Sequence, residues 1–179
     1  QFIADPNEHE FVLEGYAGTG KGYLVSKVLE NIPKYFATQK LINPEYEEMS
    51  IELTATTNKA AEALHEQTQY PVRTIFSLLG LKVNTDYSTG KTNIALKHGV
   101  SKVYNSIIFI DEASYADGQL ISYIFSQTEN CKIIFIGDPA QLSMGNGTAP
   151  VFKQGWLTAR LTNVVRQAEE SPIIQLTTS

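Results

Sequence analysis

Glu10-Phe11-Val12-Leu13-Glu14-Gly15-Tyr16-Ala17-Gly18-Thr19-Gly20-Lys21 is the stretch on which the reading of this chain turns. Glu10 to Glu14 is a β-prone run. It ends at Gly15, and a glycine-rich turn then opens a helical pattern from Tyr23 to Phe36. Gly15, Gly20 and Lys21 have the spacing G-x-x-x-x-G-K. A loop of that kind wraps a phosphate with backbone N–H groups, adds a lysine charge, and points a helix N-terminus at the anion. Gly15, Ala17, Gly18, Thr19, Gly20, Lys21 and Gly22 are the candidate phosphate-binding residues. One position departs from the pattern, which has Ser or Thr after the lysine to bind Mg²⁺ through its hydroxyl; here it is Gly22.

The rest of the chain repeats the alternation of strand and helix. Ser50–Ala55, Ser106–Ile110 and Lys132–Ile136 read as strands, the last two apolar enough to be buried on both faces. Helical patterns run from Lys59 to Gln69 and from Asp117 to Thr128. This order predicts an α/β domain with a mostly parallel sheet flanked by helices. Residues 37–49, with Asn43-Pro44 and the glutamates 45, 47 and 48, read as an extended connection. Residues 81–98 read as a β-hairpin turning at Asp86 to Gly90.

Composition narrows the class. The 179 residues are 42% hydrophobic and 18% charged, with no transmembrane run, secretory signal or repeat. A single cysteine, Cys131, excludes an internal disulfide framework and fits a reducing, cytoplasmic location. Three scattered histidines make a His-based metal site unexpected. The net charge of −5 argues against a surface coated in basic charge, but not against a local nucleic-acid groove. The apolar C-terminal stretch from Pro172 has no terminal punctuation and reads as continuing into something longer.

Two carboxylates, Asp111 and Glu112, follow the strand Ser106–Ile110 directly. At such a strand end one carboxylate holds Mg²⁺ beside the phosphates and its neighbour positions the attacking water, so Asp111 is the metal candidate and Glu112 the catalytic one. Asp138 and Gln141 follow the next strand and fall on the same sheet edge, near the γ-phosphate. Arg166, one of three arginines, is the candidate for stabilising charge on a transferring phosphoryl group. With Gly22 in place of a hydroxyl, the metal is expected to rest on Asp111 and water alone, and ATP binding or turnover to be weak.

Together these segments resemble superfamily 1 DNA helicases of the RecD-like branch (exonuclease V alpha-subunit and phage helicases). Gly15–Lys21 resembles motif I, Asp111-Glu112-Ala113-Ser114 motif II, Gly137–Leu142 motif III, and Leu161–Gln167 motif IV. Leu53–Ala61 is similar to motif Ia and Arg73–Gly80 to the element that follows it, with Thr56 in place of the usual proline and Phe76 in place of the usual histidine. The resemblance implies a RecA-like P-loop NTPase fold. It divides the chain into the first motor domain, residues 1–80 and 99–179, and an inserted pin-like hairpin, residues 81–98. It also implies ATP and Mg²⁺ as ligands, single-stranded DNA as partner, 5′–3′ movement, a role in repair or recombination, and a second RecA-like domain beyond this chain. A lone first domain is then expected to be weak or inactive. The implied roles are phosphate charge for Lys21 and Arg166, and γ-phosphate sensing for Gln141. A glutamine motif reading adenine would lie before or at Gln1. Two other readings stay open: a P-loop ATPase of another class, and a degenerate P-loop domain that binds DNA or protein without hydrolysis.

Thr56, Thr57, Asn58 and Lys59 sit where a strand gives way to a helix, and are candidates both for helix capping and for contacts to a DNA backbone. Thr74 belongs to the second DNA-contacting element of the resemblance. Tyr87, near the hairpin tip, is a candidate for stacking on a base, with Lys82, Lys91, Lys97 and Lys102 around it. Trp156 and His65 read as ordinary core or surface residues.

Overall fold

The structure, a computed structural model, describes residues 1–16, 20–141 and 147–161. One sheet holds six strands in the order β10 (Leu157–Leu161), β1 (Glu10–Gly15), β9 (Lys132–Gly137), β7 (Ser106–Asp111), β2 (Ser50–Ala55), β3 (Val72–Thr74). Every neighbouring pair is parallel. A parallel strand alternates its side chains between two faces, and here both faces are covered. On one face Phe11, Leu13, Phe109, Ile134 and Ile136 pack against α1 (Lys21–Ile42) and α2 (Asn58–Thr68) through Leu24, Val28, Ile32 and Leu64. On the other, Val12, Ile108, Ile110 and Phe135 meet α3 (Ile75–Leu79) and α4 (Gly118–Ser126) through Ile75, Leu79, Leu120 and Ile124. Each such side chain contributes about 1.5–3 kcal/mol relative to an exposed one. Trp156 stacks on Phe135 at 5.1 Å between ring centroids and meets Phe125 edge-on, as part of this second core.

The sheet is wider than the sequence reading anticipated. β3 is short, and β10 is an edge strand with three of its five residues exposed, so neither carries the apolar run that marked the inner strands. α1 does not stop at Phe36 but runs to Ile42. It continues past the internal Pro33, and Asn43, extended ahead of Pro44, ends it by donating its N–H to the Gln39 carbonyl at 2.8 Å. The extended connection is therefore 43–49, not 37–49.

Residues 81–98 fold as the antiparallel hairpin β4 (Leu81–Asp86) and β5 (Lys91–Leu96). Its turn is closed by Gly90 N–H on the Asp86 carbonyl at 2.7 Å. Gln119 of α4 bonds both the N–H and the carbonyl of Ile94 at 3.4 Å, which ties the hairpin to the body. A short parallel pair, β6 (Val103–Tyr104) and β8 (Thr128–Glu129), leads into β7 and β9. Cys131, beside that pair, is buried, and burial pushes its thiol up from the ordinary value.

Glu14 immediately precedes the glycine loop and its side chain is only 12% exposed; Arg160 of β10 grips it with Nε at 3.0 Å and Nη2 at 2.9 Å. Removing the guanidinium leaves a largely buried carboxylate without its donors. Arg160→Ala is expected to destabilise the fold by about 1–2 kcal/mol, the cost of an unsatisfied polar group. Urea unfolding of the two proteins side by side checks this, and equal midpoints contradict it.

Candidate functional site

The C-terminal ends of β1, β9, β7 and β2 lie side by side, and the segments that leave them form a cleft of about 550 Å³. Lys21, Gly22, Asp111, Glu112, Asp138 and Gln141 all line it. Residues far apart in sequence converge because the strands are parallel and in register: Ala55 pairs with Asp111, and Glu14 with Gly137. The crossover from β1 leads toward β2, whereas the connection from β9 leads back to β10, so the chain diverges at this point. Open α/β sheets present their ligand crevices at such points.

α1 begins on Gly20, with no side chain capping its first turn and no acidic residue in it. Its N–H groups therefore remain available to an anion. Lys21 Nζ donates to the Gly15 carbonyl at 2.9 Å across the loop. Gly15 and Gly20 frame the loop; Ala17, Gly18 and Thr19 lie outside the described residues, as does Arg166. Gln1 lies near Lys132, which opens β9 at the end of the strands opposite the cleft.

Asp111 closes β7, and Glu112 turns away from it with φ 55, a left-handed conformation rare for a residue with a side chain. Three hydrogen bonds hold that turn. Glu112 N–H donates to Asp111 Oδ1 at 2.8 Å, Thr56 N–H to the Asp111 carbonyl at 3.1 Å, and Thr56 Oγ1 to the Glu112 carbonyl at 2.8 Å. Such a conformation costs backbone energy, and the bonds from both sides hold it in place. Burial pushes the Asp111 carboxyl above the usual carboxylate value; the Glu112 N–H and the Lys21 charge pull it back, while the Glu112 charge adds to the rise.

A second tie joins the loop after β9 to the same turn. Ser114 Oγ donates to Gln141 Oε1 at 2.7 Å, and Asp138 shapes the loop by accepting from Ala140 N–H at 2.8 Å and Gln141 N–H at 3.1 Å. Gly137 makes this approach possible. A Cβ there would lie 3.1 Å from Phe152 Cζ and 3.3 Å from the Ser114 nitrogen.

Among the described residues no group of three His, Cys, Asp or Glu could hold a metal on its own. Asp111, half-buried at the floor of the acidic turn with Glu112 and Asp138 also lining the cleft, does suit Mg²⁺, which keeps several waters and binds through one or two carboxylates plus substrate phosphates.

The expected DNA residues separate. Thr56 is 8% exposed and its hydroxyl is committed to Glu112, so its place is in the scaffold of the acidic turn. Thr57 caps α2 by accepting from Ala60 N–H at 3.1 Å, and Thr74 caps α3 by accepting from Ser77 N–H at 3.1 Å. Asn58 and Thr74 line a second groove of about 380 Å³ together with Arg73, which opens the second motif element, with Glu62, and with His65, which the sequence placed among ordinary residues. Lys59 is exposed beside it. Tyr87 lines neither recess; it projects from the hairpin tip at 95% exposure.

Sheet order, loop and acidic turn define an α/β domain of the P-loop NTPase class. The chain belongs to the AAA domain family, whose model matches residues 3–178. It is 28% identical over 168 residues to the ATP-dependent RecD2 DNA helicase of Deinococcus radiodurans, covering 92% of this chain and 20% of that protein. The chain thus spans about a fifth of that relative's length, and the RecD-like resemblance carried by the motifs agrees with it. Among solved structures it is similar to an arterivirus helicase, nonstructural protein 10, in complex with DNA (14% identity, TM-score 0.43, 85% of this chain and 35% of that one). It is also similar to the large terminase of a thermophilic bacteriophage in complex with ADP (14% identity, TM-score 0.40, 87% and 40%).

Because the fold raises the Asp111 pKa, ionising this carboxyl weakens the fold as pH rises through the window above the ordinary value of 3.8. Asp111→Asn keeps an acceptor for the Glu112 N–H and removes the buried charge. We expect its melting temperature to exceed the parent's near pH 7, with the gain shrinking as pH falls toward about 4. Scanning calorimetry across that range checks this; a lower melting temperature at neutral pH contradicts it.

Proposed function

We propose that this chain is the ATP-binding first motor domain of a DNA helicase, hydrolysing ATP to drive movement along single-stranded DNA. The observation that carries the reading is the cleft in which Lys21, Asp111, Glu112, Asp138 and Gln141 meet at four parallel strand ends. The RecD2 relative, named as an ATP-dependent DNA helicase, supports it.

In this reading the uncapped first turn of α1 receives the phosphates, and Lys21 exchanges its bond to the Gly15 carbonyl for one to a phosphate oxygen. Asp111 holds Mg²⁺, whose chemistry is to neutralise charge on the phosphate oxygens. Glu112 orients the attacking water from a backbone that Thr56 holds in place. Gln141 reads the γ-phosphate and, through Ser114, passes its position to the acidic turn. Arg166 would add charge to the transferring phosphoryl group.

DNA is assigned to the groove between α2 and α3, with Thr57, Asn58, Lys59 and Thr74 contacting its backbone. Thr56 links that groove to the cleft, since the turn it belongs to opens α2 and its hydroxyl grips Glu112. The hairpin 81–98, carrying exposed Tyr87 and Lys82, Lys91 and Lys97, is the inserted pin. Residues 1–80 and 99–179 form the motor domain around it. A second motor domain completes the nucleotide site, and movement is 5′–3′.

The test is DNA-stimulated ATP hydrolysis by the full-length protein and by Glu112→Gln. Loss of the water-positioning carboxylate is expected to lower kcat by about 100-fold or more while ATP is still bound. A variant that hydrolyses ATP at the parental rate would overturn the assignment.

A further inference from the structure

Gly22 removes the hydroxyl expected after the loop lysine, and the structure shows what stands in its place. A Cβ built on Gly22 overlaps Gln67 Oε1 and lies 2.6 Å from Gln67 Cδ and 3.1 Å from its Cβ. The side-chain amide of Gln67, from the last turn of α2, therefore lies over the Gly22 Cα where a serine or threonine side chain would begin. Gln67 lines the same cleft as Lys21, Asp111 and Asp138. Its backbone is held close, with Ser26 Oγ 3.5 Å from the Gln67 carbonyl across the contact between α1 and α2.

We propose that the Gln67 amide oxygen makes the magnesium contact that a hydroxyl at position 22 would otherwise make, so that Gly22 and Gln67 form a matched pair. This rests on the ATP reading above. An amide oxygen is a hard, neutral donor of the type that such cations accept, as a hydroxyl is. Glycine is then required at position 22, because any side chain there displaces the amide. Gln67 then joins Asp111 and water, which the sequence alone offered as the ion's ligands. The pair also explains why the departure in the loop need not disable the site.

The relation between positions 22 and 67 calls for a double-mutant cycle, in the full-length protein, on calorimetric binding of ATPγS with and without Mg²⁺. The quantity read is the ratio of the two affinities. Gln67→Ala is expected to reduce that ratio by about tenfold, a typical loss for a group supporting a metal site. Gly22→Thr alone is expected to reduce it as well, since threonine and the amide compete for one space. The double variant Gly22→Thr/Gln67→Ala is expected to recover it, with the hydroxyl in the amide's place.

An unchanged ratio in Gln67→Ala overturns the proposal and assigns Gln67 to packing over Gly22. Parental binding that is indifferent to Mg²⁺ overturns it too. If the parent does not bind ATPγS under either condition, the ATP reading itself fails, which separates the two claims. Should Gly22→Thr fail to fold, Gln67→Ala, a truncation at an exposed position, still decides.

Discussion

A parallel sheet buried on both faces has few places left for polar chemistry, and that constraint organises this molecule. Inner strands such as Ser106–Asp111 and Lys132–Gly137 carry apolar side chains to both layers of helices. Charge can emerge only where the strands end. Because all six run the same way, four of those ends fall together on one side, and every described residue lining the cleft lies at or just beyond such an end or on a helix that starts there. The same geometry explains why the acidic turn must be braced. Asp111 lies at the boundary between an apolar interior, which opposes its charge, and an open cleft, which invites a cation.

The bracing comes from small side chains. Thr56 bonds backbone on both sides of the Asp111–Glu112 peptide, Thr54 Oγ1 donates to the Phe109 carbonyl at 2.7 Å, and Ser114 reaches Gln141. These bonds link β2, β7 and the loop after β9 into one polar layer on top of the sheet. A shift in any one of them is felt by the others, because the interior below is packed and cannot absorb it. In our reading this layer joins a nucleotide cleft to a DNA groove. Thr56 is the joint, occupied by structure rather than by DNA.

Much of this was legible in the sequence because its signals are local. Strand, glycine loop and helix follow one another within residues 10–36, and the two inner strands announce themselves as apolar runs ending in Asp111 or Gly137. What escaped is either weakly patterned or purely spatial. β10 is a half-exposed edge strand, and β3 has only three residues. The tail of α1 is exposed, Leu41 and Ile42 included, and its end is set by Asn43-Pro44 rather than by any amphipathic pattern. Thr56, Thr57 and Thr74 showed their hydroxyls, but not whether those hydroxyls face a ligand or a neighbouring backbone. The meeting of Gly22 with Gln67 has no sequence signal at all, since it depends on how closely α2 lies against α1.

The central claim is that the cleft at the four strand ends is a nucleotide site. The most direct measurement is a ¹H–¹⁵N NMR titration of the labelled chain with ATPγS and Mg²⁺. Saturable shifts are expected, concentrated at residues 15–22, 67, 111–114 and 138–141 and lost in Lys21→Ala. Shifts elsewhere, or none at millimolar nucleotide, would contradict the claim.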